Sequence, residues 1–340
     1  MNNISEKSPE KVRDNAKEAI KTIVKAIKSE EALLRKKYPI LAHQNTLGMV
    51  IMMVALAGMI STGVLYYLAI IPAWVCIIVA AVFASISHEL EHDLIHKQYF
   101  SKKPLIHNFM MLTVWLMRPN TINPWYRRKI HLHHHAVSGT EQDLEERLVG
   151  NGIKNPLKRM LVIMDGLIGL IVFRKRYNKE IKGFSFGRVF HAAFPISTAY
   201  FVILYCVIVY HVTALFLPVA SYMPAWGLAT MNVFEFMMVV LIIPNIVRST
   251  SLNFITSSMH YYGGVNNVFQ QTHVLTSRWF LPFQLFCFNF GKTHTIHHFV
   301  PNQPFYLRQF ISAKINEVMR KQGVRFNDFK SIKNANLYTG

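Results

Sequence analysis

Histidine is the residue type whose number and spacing could carry chemistry in this chain. The chain has 16 histidines, most of them in three short groups. His88, His92 and His96 recur at a spacing of four, which places them along one stripe of a helix. The two later groups each contain the pattern His-x-x-His-His, which on a helix brings the first ring beside the last two. These groups are His131, His134 and His135, and His294, His297 and His298.

A metal centre is the chemistry that such groups predict. Neutral imidazole is a ligand for iron, copper and zinc, whereas magnesium and calcium prefer oxygen. One structural zinc ion takes four ligands, so three groups of histidines indicate two metal ions. Nearby carboxylates could accept the second N–H of ligating rings and fix their orientation. These carboxylates are Glu89, Glu91, Asp93, Asp143 and Glu145.

Two other interpretations compete with a catalytic centre. The histidines could be a chance surface group, or they could belong to a protein that stores, transports or senses metal. Three groups in one chain argue against chance. A metal transporter would need polar residues throughout its membrane segments, and these are missing apart from Glu235 and the histidines His191 and His211 near the segment ends.

The three histidine boxes, in this order, resemble those of the membrane fatty acid desaturase and hydroxylase superfamily. The resemblance extends over nearly the whole chain, with two spans, the first box, a segment with the second box, two more spans and the third box. It implies a non-haem di-iron centre that uses O₂ and two electrons to attack an unactivated C–H bond of a fatty acyl chain.

The same resemblance implies a set of iron ligands. Family members supply a further histidine between the fourth span and the third box, followed by an aromatic residue and a glycine, and His260 stands in that place. Some desaturases have an asparagine four residues earlier, where this chain has Thr256. His96 is the reserve ligand because it shares the stripe of the first box. The implied ligands are His88, His92, His131, His134, His135, His260, His294, His297 and His298.

Membrane spans are the elements that must position these boxes. No Asp, Glu, Lys or Arg occurs from residue 45 to 87, which is enough for two helices of about 20 residues each. A second uncharged run begins at residue 189 and predicts spans at 191–214 and 224–247. We therefore expect an all-α integral membrane protein with four transmembrane helices and a cytoplasmic, histidine-rich helical cap. The expected segments are 1–44, 45–87, 88–188, 189–248 and 249–340.

Charge predicts the orientation of the spans. Lys and Arg are dense before residue 45, between 128 and 188 and after 300, and the short turns between paired spans carry none. The positive-inside rule therefore places both termini in the cytoplasm. The charged first 44 residues argue against a signal peptide, and a bacterial inner membrane is the expected location. Ile20, Ile23 and Ile27 predict an amphipathic N-terminal helix that lies on anionic lipid or packs on the cap.

Composition excludes several classes of protein. The chain is 51% hydrophobic, which is incompatible with intrinsic disorder. The net charge of +19 lies beside membrane spans, so lipid rather than nucleic acid is the expected partner. Three cysteines in apolar surroundings, Cys76, Cys206 and Cys287, exclude a disulfide scaffold and a fused iron–sulfur donor. A separate electron donor of the ferredoxin, rubredoxin or cytochrome type, with its reductase, is implied.

The reaction outcome stays open at this point. Desaturation, hydroxylation and decarboxylation of a free fatty acid to a 1-alkene share hydrogen abstraction as the first step. Desaturation is the leading interpretation, and decarboxylation is the next. Glu235 lies alone near the middle of the fourth span, where a carboxylate is costly, so it contacts substrate or a neighbouring helix. The basic residues Arg127, Arg128 and Lys129, and those at 174–176, could bind an anionic headgroup, an electron carrier or lipid.

Overall fold

The computed structural model describes residues 9–181 and 184–339 of the chain. Within these ranges the protein is all-helical, with isolated β-bridges and no strand. Four helices there are long and apolar enough to cross a membrane, in agreement with the predicted count. They are α2 (Gln44–Tyr67), α3 (Ala73–Ile95), α11 (Ile196–Ala214) and a fourth span (Ala225–Met259) made of α13 (Ala225–Met237), a π-turn (Met238–Ile242) and α14 (Ile243–Met259).

The remaining helices precede, connect and follow the spans. Their bounds are α1 Pro9–Lys37, α4 Pro104–Met117, α5 Pro124–Val137, α6 Leu144–Leu148, α7 Pro156–Met164, α8 Gly166–Val172, α9 Arg174–Glu180, α10 Phe186–Ala193, α12 Val219–Tyr222, α15 Leu281–Leu285, α16 Phe290–Phe299, α17 Phe305–Lys321 and α18 Phe329–Lys333.

The second and fourth spans continue past their predicted ends into the histidine region. Helix α3 runs unbroken to Ile95, so His88 and His92 lie on the span itself. The fourth span does not end at residue 247 and leads directly to His260. Pro244 does not interrupt it, because this proline lies in the first turn of α14, just after the π-turn, where a missing N–H is tolerated.

The third span begins later than predicted, at Ile196 instead of residue 191. Proline disfavours helical backbone at the residue before it, and the Phe194-Pro195 step separates α10 from α11. Contacts at the start of α11 tie it to the segment before the second histidine box, because the hydroxyl of Ser197 donates to the carbonyl of Thr121. The start of α2 is likewise tied to the end of α3, since Gln44 Nε2 donates to the carbonyl of Gln98 at 2.8 Å.

The N-terminal helix packs on the protein through its apolar face. Ile23 and Ile27 are fully buried, and they contact Ile311 and Ile315 of α17. Of the two alternatives for this helix, packing on the rest of the chain is therefore the one observed for that face. Helix α17 in turn packs on α16, which carries the third histidine box. The N-terminal helix thus packs on α17, which in turn supports the helix that carries the third histidine box.

Candidate metal centre

Two groups of four histidines form where α3, α5, α16 and the end of the fourth span meet. In each group the ligand atoms all lie within 4.8 Å of one another, and every ring except the partly buried His96 is buried. Neither group is local in sequence, since each combines the second box with the third. The first group is His92, His96, His131 and His297, and the second is His134, His260, His294 and His298.

The structure places three histidines differently from the ligand set that the sequence suggested. His96, the reserve ligand, belongs to the first group. His135 lies outside both groups but near them, with its Nε2 atom 3.2 Å from that of His131 and 2.9 Å from that of His297. His88 is outside as well, and its Nδ1 atom lies 2.9 Å from the guanidinium of Arg118. The Nε2 atom of His88 is buried without a hydrogen-bond partner.

Carboxylates fix the tautomers of two histidines on α5. His131 Nδ1 lies 2.7 Å from Glu145 Oε2, and His134 Nδ1 lies 2.9 Å from Asp143 Oδ2. A carboxylate accepts a hydrogen bond, so Nδ1 of each ring carries the proton and donates it. In a neutral ring this leaves the lone pair on Nε2 for a metal ion.

Neutral oxygen atoms act in the same way on two histidines of the second group. His260 Nδ1 donates to the carbonyl of Thr256 at 3.0 Å, and His298 Nδ1 donates to Gln271 Oε1 at 2.8 Å. The Nε2 atoms of the two rings face each other at 3.2 Å. Two bare lone pairs cannot form a hydrogen bond, so a shared cation is the partner that fits them. The donor set is therefore that of a transition metal.

The Nδ1 atom of His297 has an arginine as its partner instead of an oxygen atom. The guanidinium of Arg308 lies 2.6 Å from His297 Nδ1. Arginine only donates, so Nδ1 accepts, and Nε2 of this ring must lose a proton to bind an ion. Arg308 also pairs with Glu89 and Asp93, each at 3.3 Å.

The carboxylates of the first box therefore reach histidines only through arginines. Glu89 and Asp93 pair with Arg308, and Glu91 pairs with Arg118 and Arg127. The sequence had suggested that these carboxylates touch the rings directly. On α3, however, they lie on stripes beside the histidine stripe and face other helices.

Burial keeps most of these imidazoles neutral. It lowers the pKa of His96 to about 2, and it lowers the pKa of His135, His260 and His298 well below the usual range. Neutral imidazole is the form that binds metals. His134 differs, because burial alone would lower its pKa, but the carboxylates of Asp143, Glu145 and Glu146 together outweigh burial and raise the pKa to about 9. A metal ion at His134 Nε2 would displace that proton.

Two adjacent glutamates of α6 have pKa values shifted in opposite directions. Burial would raise the pKa of Glu145, but His131 and Arg127 outweigh it and hold that pKa well below the usual range. Burial, with Asp143 and Glu145 nearby, raises the pKa of Glu146 to about 8. The Thr256 hydroxyl donates to Glu146 Oε1 at 2.9 Å. The two shifts favour the charged form of Glu145 and the protonated form of Glu146.

An apolar cavity of about 990 Å³ extends from this region along α11 and the fourth span. Its polar end contains Arg118, Arg127, Glu145 and Arg248. That end is one hydrogen bond from the histidines, because Glu145 binds His131 and Arg118 contacts His88. Apolar side chains of the spans line the remaining length, among them Leu204, Val209 and Met231. The size and lining are those of a ligand pocket.

Glu235 lies away from this cavity. Its carboxylate is 3.0 Å from His211 Nε2 on α11, and both side chains are partly exposed, at 42% and 58%. Neither residue is among those that line the cavity. The geometry is that of a contact between neighbouring helices, which was one of the two alternatives for Glu235.

Of the basic residues before the second box, Arg127 and Arg128 point inward and Lys129 is exposed. Arg127 pairs with Glu91 and Glu145, and Arg128 donates to the carbonyls of Leu94 and Ile95 at the end of α3. Sequence reasoning missed the arginines that matter most, Arg118, Arg248 and Arg308, as well as Gln271. Arg248 carried a signal, since it directly follows the predicted fourth span.

Comparison with known proteins agrees with this arrangement. The family model for fatty acid desaturases matches residues 68–330, a stretch that contains all three histidine boxes and His260. A search of curated proteins found no significant match. The matched family acts on fatty acids as an oxidoreductase, in keeping with the four apolar helices and the histidine groups. The chain belongs to the fatty acid desaturase family.

Proposed function

We propose that this protein is a di-iron membrane enzyme that introduces a double bond into a fatty acyl chain. The observation that carries the proposal is the pair of four-histidine groups, four of whose rings donate Nδ1–H to oxygen and keep Nε2 free. Two such groups fit two metal ions, and imidazole suits iron. The family match supports fatty acid as the substrate.

The proposed ligand set follows the two groups. It consists of seven of the nine histidines expected from the boxes, with His96 as the eighth. His135 lies between the groups and His88 beside Arg118, so we assign both to places next to the ligands. Asp143 and Glu145 orient His134 and His131, and Arg308 acts on His297 from the other side of the centre.

Desaturation converts a –CH₂–CH₂– unit, O₂, two electrons and two protons into –CH=CH– and two water molecules. Two bound irons would supply activation of O₂ and removal of hydrogen from the chain. The protein's residues hold the histidines in one tautomer, exclude water by burial and hold protons nearby. Glu146 is a candidate to hold such a proton, since burial and the neighbouring carboxylates raise its pKa.

The proposal includes a separate electron donor and a fixed orientation in the membrane. The described residues contain no cluster of cysteines, and Cys76 and Cys287 are buried, so we assign electron delivery to a second protein of the ferredoxin, rubredoxin or cytochrome type. The basic segments favour both termini and the histidine centre on the cytoplasmic side.

Product analysis tests the proposal. Cells that express the chain are fed deuterated fatty acids of increasing length, and their lipids and headspace are analysed by gas chromatography–mass spectrometry. We expect an unsaturated acid of unchanged carbon number. The His134→Ala and His297→Ala variants should contain less iron and form no product. A hydroxylated acid or an alkene one carbon shorter would replace desaturation by the corresponding reaction, and the absence of any oxidised product would refute the proposal.

A further inference from the structure

Arg248 is a buried cation without an anionic partner at the polar end of the cavity. It is fully buried and lines the cavity wall. Its Nε atom donates to Asn245 Oδ1 at 3.1 Å, and one Nη atom donates to Asn120 Oδ1 at 2.7 Å. The other, Nη1, is buried and has no hydrogen-bond partner. Among the residues that the structure describes, no carboxylate forms an ion pair with Arg248.

The neighbouring charges do not satisfy it. Arg118 and Arg127 share the carboxylate of Glu91, and Glu145 is held by Arg127 and His131. Asp165 also lines the cavity, but its carboxylate accepts from the Tyr205 hydroxyl at 2.6 Å. A buried guanidinium is costly without an anion, and an unpaired buried donor at a cavity wall indicates a ligand.

The shape of the cavity indicates which anion fits. Arg118 and Arg248 are fully buried, which favours a small anionic group over a bulky one. A carboxylate matches the guanidinium fork and accepts two parallel hydrogen bonds. The rest of the cavity is lined mainly by apolar side chains of α11 and the fourth span, such as Leu204 and Met231. A small anion attached to a long apolar chain is an unesterified fatty acid.

We propose that Arg248, at the end of the cavity that Arg118 also lines, binds the carboxylate of a free fatty acid whose chain extends along α11. The acid therefore enters with its carboxyl group toward the histidines and its methyl end toward the membrane-spanning part of the cavity. Bulky headgroups such as those of phospholipids or acyl thioesters do not fit this buried end. The substrate class rests on the proposed function, but the binding site does not.

The orientation has a chemical consequence for the proposed oxidation. The carbons next to the carboxyl group lie closest to the histidines, so the product should change there and not in mid-chain. Hydrogen removal at C3 followed by loss of the carboxyl group balances as follows. The acid, O₂, two electrons and two protons give a terminal alkene one carbon shorter, CO₂ and two water molecules. The proposed orientation makes decarboxylation the second candidate reaction, which the product analysis would detect as an alkene one carbon shorter.

Equilibrium binding tests the site without requiring turnover. The purified full-length chain in lipid nanodiscs is titrated with radiolabelled myristic acid and, separately, with methyl myristate, which has the same chain and no charge. We expect the wild type to prefer the acid. Arg248→Met should raise the Kd of the acid at least about tenfold, because a charged hydrogen bond is lost, and should change the Kd of the ester less than about twofold. Arg188→Gln, an exposed arginine on α10, is the control and should change neither value.

Equal affinity of the wild type for acid and ester would overturn the proposal, as would an equal loss of both ligands in Arg248→Met. If Arg248→Met does not fold, two other measurements test the proposal. One is the comparison of acid with ester on the wild type. The other is Arg248→Lys, which keeps the charge and should retain the preference for the acid. A negative binding titration would not contradict the proposed oxidation. Absence of product in the product analysis would not contradict the binding site.

Discussion

His134 Nδ1 lies 2.9 Å from a carboxylate oxygen of Asp143, which follows it by nine positions along the chain. Asp143 also caps α6, since its other carboxylate oxygen accepts from the amide of Glu146. One side chain therefore fixes both a histidine of the second group and the start of the helix that carries Glu145. The orientation of His134 is set by the turn between α5 and α6.

Replacement of Asp143 by Asn should weaken metal binding. An amide can present its NH₂ group to Nδ1 and stabilise the wrong tautomer, and loss of such a partner typically costs 10–100-fold in metal affinity or activity. We expect a lower iron content, measured by plasma mass spectrometry on the purified protein, and a matching loss of product. Glu141→Gln removes an exposed carboxylate two residues away and should leave iron unchanged. Normal iron in Asp143→Asn would contradict the role of this hydrogen bond.

His96→Ala should remove metal from the first group. His96 contributes one of its four rings, and a site that loses one of four ligands binds its ion more weakly. The measurement is iron per chain, with His133→Ala as the control, because His133 is exposed within the second box. The expected result is a clear loss in His96→Ala and none in His133→Ala. The opposite pattern would show that the observed grouping does not describe the ligands.

Glu235→Gln should leave iron content and product pattern unchanged while lowering stability slightly. The residue pairs with His211 across two spans, and interhelical hydrogen bonds in membrane proteins average about 0.6 kcal/mol. A thermal unfolding series on Glu235→Gln, His211→Gln and the double variant measures the coupling between them. An altered preference for chain length in Glu235→Gln would instead support the substrate contact that the sequence suggested as an alternative.

Met231→Trp should shorten the acyl chains that the protein accepts. Met231 lines the cavity from the fourth span and is nearly buried, so a larger side chain removes space for the methyl end. Because one methylene in an apolar pocket changes selectivity about 10-fold or more, the ratio of turnover between short and long acids should shift by at least that factor. Val233→Trp, on an exposed face of the same helix, should leave the ratio unchanged.

The sequence predicted the four spans and the histidine boxes because both depend on local periodicity. It did not predict which histidines group together. His88 and His96 occupy the same stripe of α3, and only the packing of α5 and α16 brings His96, and not His88, into the first group. The partner of His297 is also non-local, since Arg308 comes from α17, while Glu89 and Asp93 come from α3, more than 200 positions earlier.

The start and end of the spans show the same limit. Apolar runs marked where membrane segments lie, but helix α3 continues through five charged or histidine positions because these side chains find buried partners in distant helices. Hydropathy alone does not show that a charged side chain will find a buried partner in a distant helix. Arg248 was overlooked for a related reason, since a basic residue at the end of a span is ordinarily assigned to the membrane surface.

The mixing of early and late histidines in each group determines when the centre can form during biosynthesis. The first group lacks His297 until residue 297 has been synthesised, and the second group is complete only after residue 298. By then all four spans have emerged, α3 carries His92, and the fourth span ends directly before His260. A metal ion that needs all four rings of a group can therefore bind only after the four spans have been synthesised.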